Sequence, residues 1–125
     1  MTAAGFLADT HIVLWSIADD PRLSALYREI LASDAVVFVS AASVWEMSIK
    51  RSLGKLDVPD NLAELLPQMR FTPLAITAEH AQAVATLPLH HSDPFDRLLI
   101  AQARLEGLTI MTADPQFPAY GVAVA

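Results

Sequence analysis

Cysteine is absent from this chain of 125 residues. Its absence excludes disulfides and thiolate metal sites, and it suits a reducing cytosol. Basic side chains are also few: 8 Lys and Arg stand against 14 Asp and Glu, for a formal net charge of −6. This balance weighs against a broad cationic face for nucleic acid, although it leaves room for a small basic patch beside an acidic metal site.

Long apolar runs are missing too, since no stretch reaches the roughly 18 residues that a membrane-crossing helix requires. Residues 1–5 lack the basic flank of a signal peptide, so we expect a cytoplasmic protein with no membrane segment. Hydrophobic residues nevertheless make up 54% of the chain. This surplus predicts a covered surface, either a homodimer face, a groove for a partner, or both. The length suits one domain, which we predict to span residues 1–125.

Apolar segments of strand length alternate with segments of helical periodicity. We predict buried strands over 6–8, 36–39 and 108–112, an edge strand containing Pro73 over 71–76, and a last strand over 120–124. We predict helices over 11–18, 25–31, 41–52, 62–66, 78–86 and 94–106. This alternation predicts an α/β fold whose mostly parallel sheet is covered on both faces.

The helix over 94–106 is the best marked. Asp93 can cap its free amides, Pro94 suits its first position and Gly107 suits its end. Asp96 lies in the first turn, where the helix N-terminus should keep its carboxylate ionised. The simpler alternative is that Asp93 and Asp96 form only a capping pair. The residues at helical spacing that should face the core are Phe95, Leu98, Leu99, Gln102 and Leu105.

Two predicted strands end in an acidic residue, Asp9 and Asp114. Carboxyl ends of parallel strands meet at one edge of the sheet, where binding crevices lie. Asp96 begins a helix that enters from that edge, and Glu46 lies within another, so we expect all four acids to converge. Converging carboxylates need raised pKa values or a cation. With neither Cys nor spaced His, oxygen ligands favour Mg²⁺ or Mn²⁺, which would activate a water for in-line attack on a phosphodiester.

Each of these residues also has a structural explanation that the sequence leaves open. Those explanations are a helix cap for Asp9, an i,i+4 ion pair with Lys50 for Glu46, a turn for Asp114, a loop role for His90 and His91, and core packing for Trp15 and Trp45. The functional argument therefore depends on the joint arrangement of the acids.

Five segments, in order, resemble the PIN-domain family and, within it, the VapC-type toxins of prokaryotic toxin–antitoxin pairs. They are 7–11 (LADTH), 39–46 (VSAASVWE), 51–56 (RSLGKL), 91–103 (HSDPFDRLLIAQA) and 112–114 (TAD). The resemblance covers essentially the whole chain.

The resemblance implies a three-layer α/β/α sandwich and a metal-dependent endoribonuclease. It implies that Asp9, Glu46, Asp96 and Asp114 hold Mg²⁺ or Mn²⁺ as an acidic quartet. It further implies a homodimer and a cognate antitoxin that silences the enzyme. The supporting residues it implies are Thr10, Thr112 and Asp93, and the RNA contacts that flank the acids are Lys50, Arg51, Lys55 and Arg97, each of which could instead be a solvated charge or an ion-pair partner.

Two other functional classes share features with this sequence. A receiver-like signalling domain also has an acidic Mg²⁺ pocket, but it needs paired acids after the first strand, an Asp after a middle strand and a late Lys. Here Asp9 stands alone, Ser40 follows Val39, and no Lys follows Lys55. The second class is a non-catalytic acidic binding module, in which the acids serve only as caps.

Overall fold

The structure is a computed structural model of the protein and describes residues 5–125, so most of the N-terminal stretch considered for a signal peptide lies outside it. Four parallel strands form the central sheet in the order β3-β2-β1-β4. The strands are β1 (Phe6–Ala8), β2 (Val37–Ser40), β3 (Phe71–Leu74) and β4 (Thr109–Met111). The predicted edge position of the strand that contains Pro73 is confirmed.

Six α-helices connect and flank these strands within residues 5–125. They are α1 (Thr10–Ala18), α2 (Ala25–Ala32), α3 (Ala41–Ser52), α4 (Leu62–Gln68), α5 (Ala78–Ala83) and α6 (Pro94–Glu106). Short 3₁₀ segments lie at Val84–Thr86, directly after α5, and at Phe117–Tyr120, after β4. None of the helices described here has both the length and the apolar character needed to cross a membrane.

Successive strand residues point to opposite faces of the sheet, which produces two apolar cores. Ala8 packs with α1 to α4 on one face, and Leu7 packs with α5 and α6 on the other. On β4, Met111 joins the first core and Ile110 joins the second. The sheet is thus covered on both faces, which confirms the predicted three-layer α/β/α architecture.

Local capping explains the sharp ends of α6. Asp93 Oδ1 accepts hydrogen bonds from the amides of Phe95 and Asp96, at 2.8 and 3.2 Å. Gly107 takes a left-handed conformation, φ 67°, at the other end. The predicted core stripe is wrong at Leu105, which lies in the last turn of α6 and is 51% exposed.

Several boundaries differ from prediction because packing overrides local signals. Helix α4 continues through Pro67 to Gln68, since a proline in the last turn removes only one helical hydrogen bond. The predicted helix over 78–86 tightens into 3₁₀ geometry after Ala83. The predicted last strand is reduced to one parallel bridge between Ile110 and Val124.

Candidate metal centre

Asp9 lies directly after β1 and is only 3% exposed. Its Oδ1 accepts a hydrogen bond from the Ile12 amide at 3.0 Å, so it caps α1. Its Oδ2 accepts a short hydrogen bond from the Thr112 hydroxyl, which follows β4. One oxygen of Asp9 therefore caps α1, as the structural explanation predicts. The other oxygen links the ends of the neighbouring strands β1 and β4.

Asp114 is joined to the same edge through Thr112. The Thr112 hydroxyl accepts from the Asp114 amide at 3.0 Å while donating to Asp9. Asp114 Oδ1 accepts from the Gln116 amide at 2.9 Å, which is the predicted turn. Its Oδ2 lies 3.1 Å from His91 Nε2. The turn and the acidic cluster thus use different oxygens of this carboxylate.

Glu46 reaches the cluster from α3 and is 4% exposed. Its Oε1 accepts from the Thr10 hydroxyl at 2.7 Å, and this hydroxyl also lies 3.0 Å from Ser43 Oγ. Its Oε2 accepts from Lys50 Nζ at 2.8 Å, which is the predicted i,i+4 ion pair. Glu46 is therefore paired with Lys50 and also buried beside the residue that follows Asp9.

Asp96 completes the group from the first turn of α6. Its Oδ2 lies 3.0 Å from His91 Nε2, so the imidazole stands between Asp96 and Asp114. Asp93, its capping neighbour, brings a second negative charge close to it. Contacts thus connect Asp9, Thr112, Asp114, His91, Asp96 and Asp93 in one chain, whereas Glu46 contacts Thr10, the residue that follows Asp9 in the sequence.

His91 was assigned a loop role from sequence, yet its ring lies inside the cluster. Its Nδ1 accepts a hydrogen bond from the Asp93 amide at 3.1 Å, so this nitrogen carries no proton. A ring whose Nδ1 accepts has its proton on Nε2, which is directed at Asp96 and Asp114. Although its Nε2 and a carboxylate oxygen of each acid all lie within 4.8 Å of one another, Nε2–H has no free lone pair for a cation. We therefore assign His91 as a hydrogen-bond donor that holds the two carboxylates together.

The surroundings of two acids disfavour their charged forms. Burial raises the pKa of Asp9, against the opposing effect of the Thr112 and Ile12 hydrogen bonds. Burial, followed by repulsion from Asp93, raises the pKa of Asp96 to about 7, although His91 opposes the shift. At Asp96, desolvation therefore outweighs the helix N-terminus that was expected to keep the carboxylate ionised, and the group is only partly ionised at neutral pH.

These donors fit a divalent cation. A carboxylate offers about four lone-pair positions, and the hydrogen bonds to Asp9 and Asp114 occupy only part of them. The raised pKa values of Asp9 and Asp96 are what a cation would relieve, since positive charge favours the ionised carboxylate. Oxygen donors of this kind suit Mg²⁺ or Mn²⁺.

The basic residues predicted to contact RNA have different environments. Lys50 is engaged by Glu46, whose hydrogen bond raises the pKa of the lysine. Arg51 and Lys55 are exposed, and Arg51 Nε donates to the Val58 carbonyl at 3.0 Å. Arg97 instead donates to several acceptors of its own chain, which favours a structural role. Those acceptors are the carbonyls of Val84, Leu87, Pro88 and His91 and the Tyr120 hydroxyl.

Two aromatic side chains near the cluster, His91 and Trp45, differ from the expectation based on sequence. His91 was passed over because adjacent histidines rarely point the same way, and His90 does point elsewhere, against the Tyr120 ring. The pattern His-x-Asp-Pro, which places a ring before a helix cap, was the signal that could have identified it. Trp45, assigned to the core, is 58% exposed, whereas Trp15 is half-buried.

Comparison with solved structures finds close agreement in fold at low sequence identity. DNA-bound VapBC from Salmonella typhimurium matches with a TM-score of 0.73 at 17% identity, covering 98% of each chain. VapBC2 from Rickettsia felis, bound to a promoter DNA fragment, gives 0.70 at 17% identity over 95% of each chain. FitAcB from Neisseria gonorrhoeae gives 0.66 at 23% identity over 95% of each chain.

No protein with a curated function matches this chain in sequence. The family comparison is more informative, because the PIN domain family matches residues 6–123 and so takes in each of the four clustered acids. Together with the parallel sheet and its layers of helices, this match shows that the chain belongs to the PIN domain family.

Proposed function

We propose that this chain is a Mg²⁺- or Mn²⁺-dependent endoribonuclease and acts in the cytoplasm as the VapC-type toxin of a toxin–antitoxin pair. The observation that carries the proposal is that Asp9, Asp96 and Asp114 are linked through Thr112 and His91, with Glu46 bound to Thr10 beside Asp9. A single domain over residues 1–125 is part of this proposal. The alternative of a receiver-like signalling domain is set aside, since the chain belongs to the PIN domain family.

In this proposal Asp9, Glu46, Asp96 and Asp114 hold the cation. A bound Mg²⁺ or Mn²⁺ would activate a water for in-line attack on the RNA phosphodiester and stabilise the leaving oxygen. Thr112 orients Asp9 by donating to Oδ2, and the Ile12 amide fixes Oδ1.

The remaining side chains position the other two acids. Thr10 and Lys50 each donate to one oxygen of Glu46, which keeps its carboxylate directed toward α1. Asp93 fixes the first turn of α6 and so the backbone position of Asp96. Arg51 and Lys55, both exposed, are proposed to contact the RNA backbone, where cations supply sequence-independent affinity.

A partner surface is supported by a stripe of apolar residues on α3. Trp45, Ile49 and Leu53 lie four residues apart and are 58%, 36% and 62% exposed. Trp45 also lines two apolar grooves of about 490 and 240 Å³. We propose that a second copy of the chain covers this α3 stripe. A cognate antitoxin is proposed as a further partner, because structures of similar fold are described as VapBC and toxin–antitoxin complexes.

The test is cleavage of single-stranded RNA by the purified protein with Mg²⁺ or Mn²⁺, and again with excess EDTA. Cleavage should stop in EDTA. Asp96→Asn should lower the rate about 100-fold or more, in the range seen when one electrostatic group is lost from a reaction centre. Asp60→Asn, a change at an exposed acid before α4, should leave the rate unchanged.

Cleavage that persists in EDTA, or in Asp96→Asn, would remove the metal mechanism. If neither RNA cleavage nor a rise in melting temperature with Mn²⁺ is found, the protein is instead a non-catalytic binding module. Sequencing RNA ends after induced expression, with Asp96→Asn as the control, would then identify the cleaved RNA if the nuclease proposal holds.

A further inference from the structure

A cleft of about 260 Å³ lies beside the acidic cluster, between α1 and the segment that follows β4. It is lined by two acids of the cluster, Asp9 and Asp114, and by His11, Trp15 and Ala113. None of the proposed catalytic steps uses His11 or Trp15. The cleft therefore joins two acids of the candidate metal centre to an aromatic wall that has no assigned role.

The aromatic wall follows from the spacing of α1. His11 and Trp15 are four residues apart, so both side chains lie on one face of the helix, directly after the carboxylate that caps it. Their ring centroids are 6.2 Å apart with planes inclined at 56°. His11 is exposed, whereas Trp15 is half-buried, packing partly against the core below the sheet. Trp15 is thus held by the core while it lines the cleft.

Arg22 also contacts the Trp15 ring. Its guanidinium carbon lies 5.1 Å from the centroid of the Trp15 ring, within cation–π range. The same guanidinium is oriented by Asp20, through contacts of 2.8 and 3.1 Å to its two carboxylate oxygens. The indole is therefore in contact with an arginine cation, and aromatic and arginine groups are the ones that stack on nucleic-acid bases.

The chemistry of the cleft favours one class of ligand. Its volume is below the roughly 300–1,000 Å³ of pockets that hold drug-sized molecules, so it suits a single ring system. The acids repel an anionic ring unless a cation is present. A flat, neutral ring attached to a phosphate suits both groups of lining residues. The ring would stack on Trp15, and the phosphate would bind the cation that the acids would hold.

We infer that this cleft binds one unpaired nucleobase of the RNA, next to the phosphate that is cleaved, with Trp15 as the stacking surface. The inference rests on the proposed nuclease function and specifies its substrate as RNA with a base free to leave its stack. Trp15 would bind substrate without touching the reacting atoms. Because every base has a π-face, this subsite should tolerate several sequences.

The chain contains two tryptophans, which makes a direct measurement possible. In Trp45→Phe, Trp15 is the only indole, and its fluorescence should be quenched when an adenosine or uridine RNA octamer binds in Ca²⁺, used to slow cleavage. In Trp15→Phe, the remaining Trp45 should show no comparable quenching. Fluorescence anisotropy of a labelled octamer gives the affinity independently of quenching.

The affinity measurement separates stacking from a structural effect. Trp15→Leu should weaken octamer binding by about 10- to 100-fold, the range expected for loss of one stacked base. Trp15→Phe keeps a ring and should retain most of the affinity. Leu26→Ala, on the exposed face of α2, is the control and should have no effect.

Octamer binding without quenching of Trp15, or equal affinity in wild type and Trp15→Leu, would overturn this inference and leave the nuclease proposal standing. Absence of any octamer binding to the wild-type protein would overturn both. If Trp15→Leu does not fold, the Trp45→Phe quenching experiment decides the question alone.

Discussion

Asp96 is surrounded by groups that act in opposite directions on its charge. Burial and the neighbouring acids Asp93, Glu46 and Asp9 raise its pKa to about 7, and only His91 opposes them. The folded protein therefore binds a proton here at pH values where the unfolded chain, with a pKa near 3.8, has released it. Since the native state then binds more protons, this residue makes stability fall as pH rises from about 4 to about 7.

Replacing Asp96 by Asn should stabilise the metal-free protein at pH 8. The amide carries no charge, and its carbonyl oxygen can still accept from His91. We expect a gain of about 1–2 kcal/mol, or roughly 4–8 °C in melting temperature. The gain is less than the pKa shift alone would suggest, because the Asp96 side chain stays 20% exposed and water screens its charge.

Calorimetric or circular-dichroism melting in EDTA at pH 5 and pH 8 checks this prediction. At pH 5 the difference should be small, because wild-type Asp96 is already protonated. Asp60→Asn should change neither value. A destabilised Asp96→Asn protein at pH 8 would show that the ionised carboxylate is favourable in this environment.

His91 should contribute most to the free energy of unfolding when no cation is bound. His91→Ala removes the N–H that lies between Asp96 and Asp114, and hydrogen bonds to charged groups are worth about 1.5–3 kcal/mol. We expect a loss of that size in the free energy of unfolding in EDTA, most of which saturating Mn²⁺ restores. His90→Ala is the matched control.

Measuring the stability of His91→Ala with and without Mn²⁺ also tests whether His91 ligates the ion. If His91→Ala abolishes the stabilisation that Mn²⁺ provides, the imidazole is a ligand and its assignment as a donor through Nε2–H is wrong. If the variant is as stable as wild type in EDTA, its hydrogen bonds to the acids contribute nothing measurable.

Sequence could identify the acids but not all of their partners. Asp9 and Asp114 stand out because each follows a predicted strand, and Glu46 and Asp96 stand out because each lies in a helix expected to start at the same edge of the sheet. The orientation of His91 depends on the Asp93 amide, and the approach of Thr112 to Asp9 spans two strands far apart along the chain. Contacts of this kind follow from tertiary packing, which periodicity does not reveal.

At the scale of elements, Arg97 ties the first turns of α6 to the segment before it. Its guanidinium donates to the Pro88 carbonyl at 2.9 Å and to the Val84 carbonyl at 3.1 Å, among other acceptors. Arg97→Lys keeps the positive charge but loses the planar set of guanidinium N–H donors. We expect a loss of about 1–3 kcal/mol in the free energy of unfolding, with RNA affinity unchanged.

Denaturant unfolding and octamer anisotropy on the same variant test this prediction. Arg51→Gln should show the reverse, with little change in stability and weaker RNA binding. Should Arg97→Lys weaken RNA binding without affecting stability, Arg97 contacts the RNA as the sequence suggested.

The elements were predicted best where their ends are set locally. Helices α3 and α6 are capped by Ser40 and Asp93, whose side chains accept hydrogen bonds from first-turn amides. The predicted ranges of both helices are confirmed. The 3₁₀ turn after Ala83 and the reduced bridge at Val124 depend on what packs against them. Such ends have no local signal in the sequence.

For the whole molecule, the α3 stripe offers a test of assembly. Changing Trp45 and Leu53 together to Glu should convert a dimer into a monomer, because charges would then be buried at the interface. Light scattering after size-exclusion chromatography measures the mass. Leu26→Glu, on α2, should leave the dimer intact. A monomeric wild-type protein, or a double variant that remains dimeric, would contradict the proposed interface.

The parallel sheet accounts for why the predicted acids meet. Because β1 and β4 are neighbours and run the same way, the residues that follow them, Asp9 and Thr112, must lie side by side. The strand order itself could not be read from the sequence, since alternating strands and helices fit more than one order. The sequence could therefore predict that the acids lie at one edge of the sheet, but the distances between them depend on the strand order of the folded protein.

The account as a whole depends on a cation bound jointly by acids from separate segments. Isothermal titration calorimetry with Mn²⁺ on wild type and on Asp9→Asn, Glu46→Gln, Asp96→Asn and Asp114→Asn tests this most directly. We predict that wild type binds Mn²⁺ and that each substitution weakens binding about tenfold or more, a loss that even outer-shell substitutions reach at metal sites. Equal affinity in wild type and in all four folded variants would contradict the account.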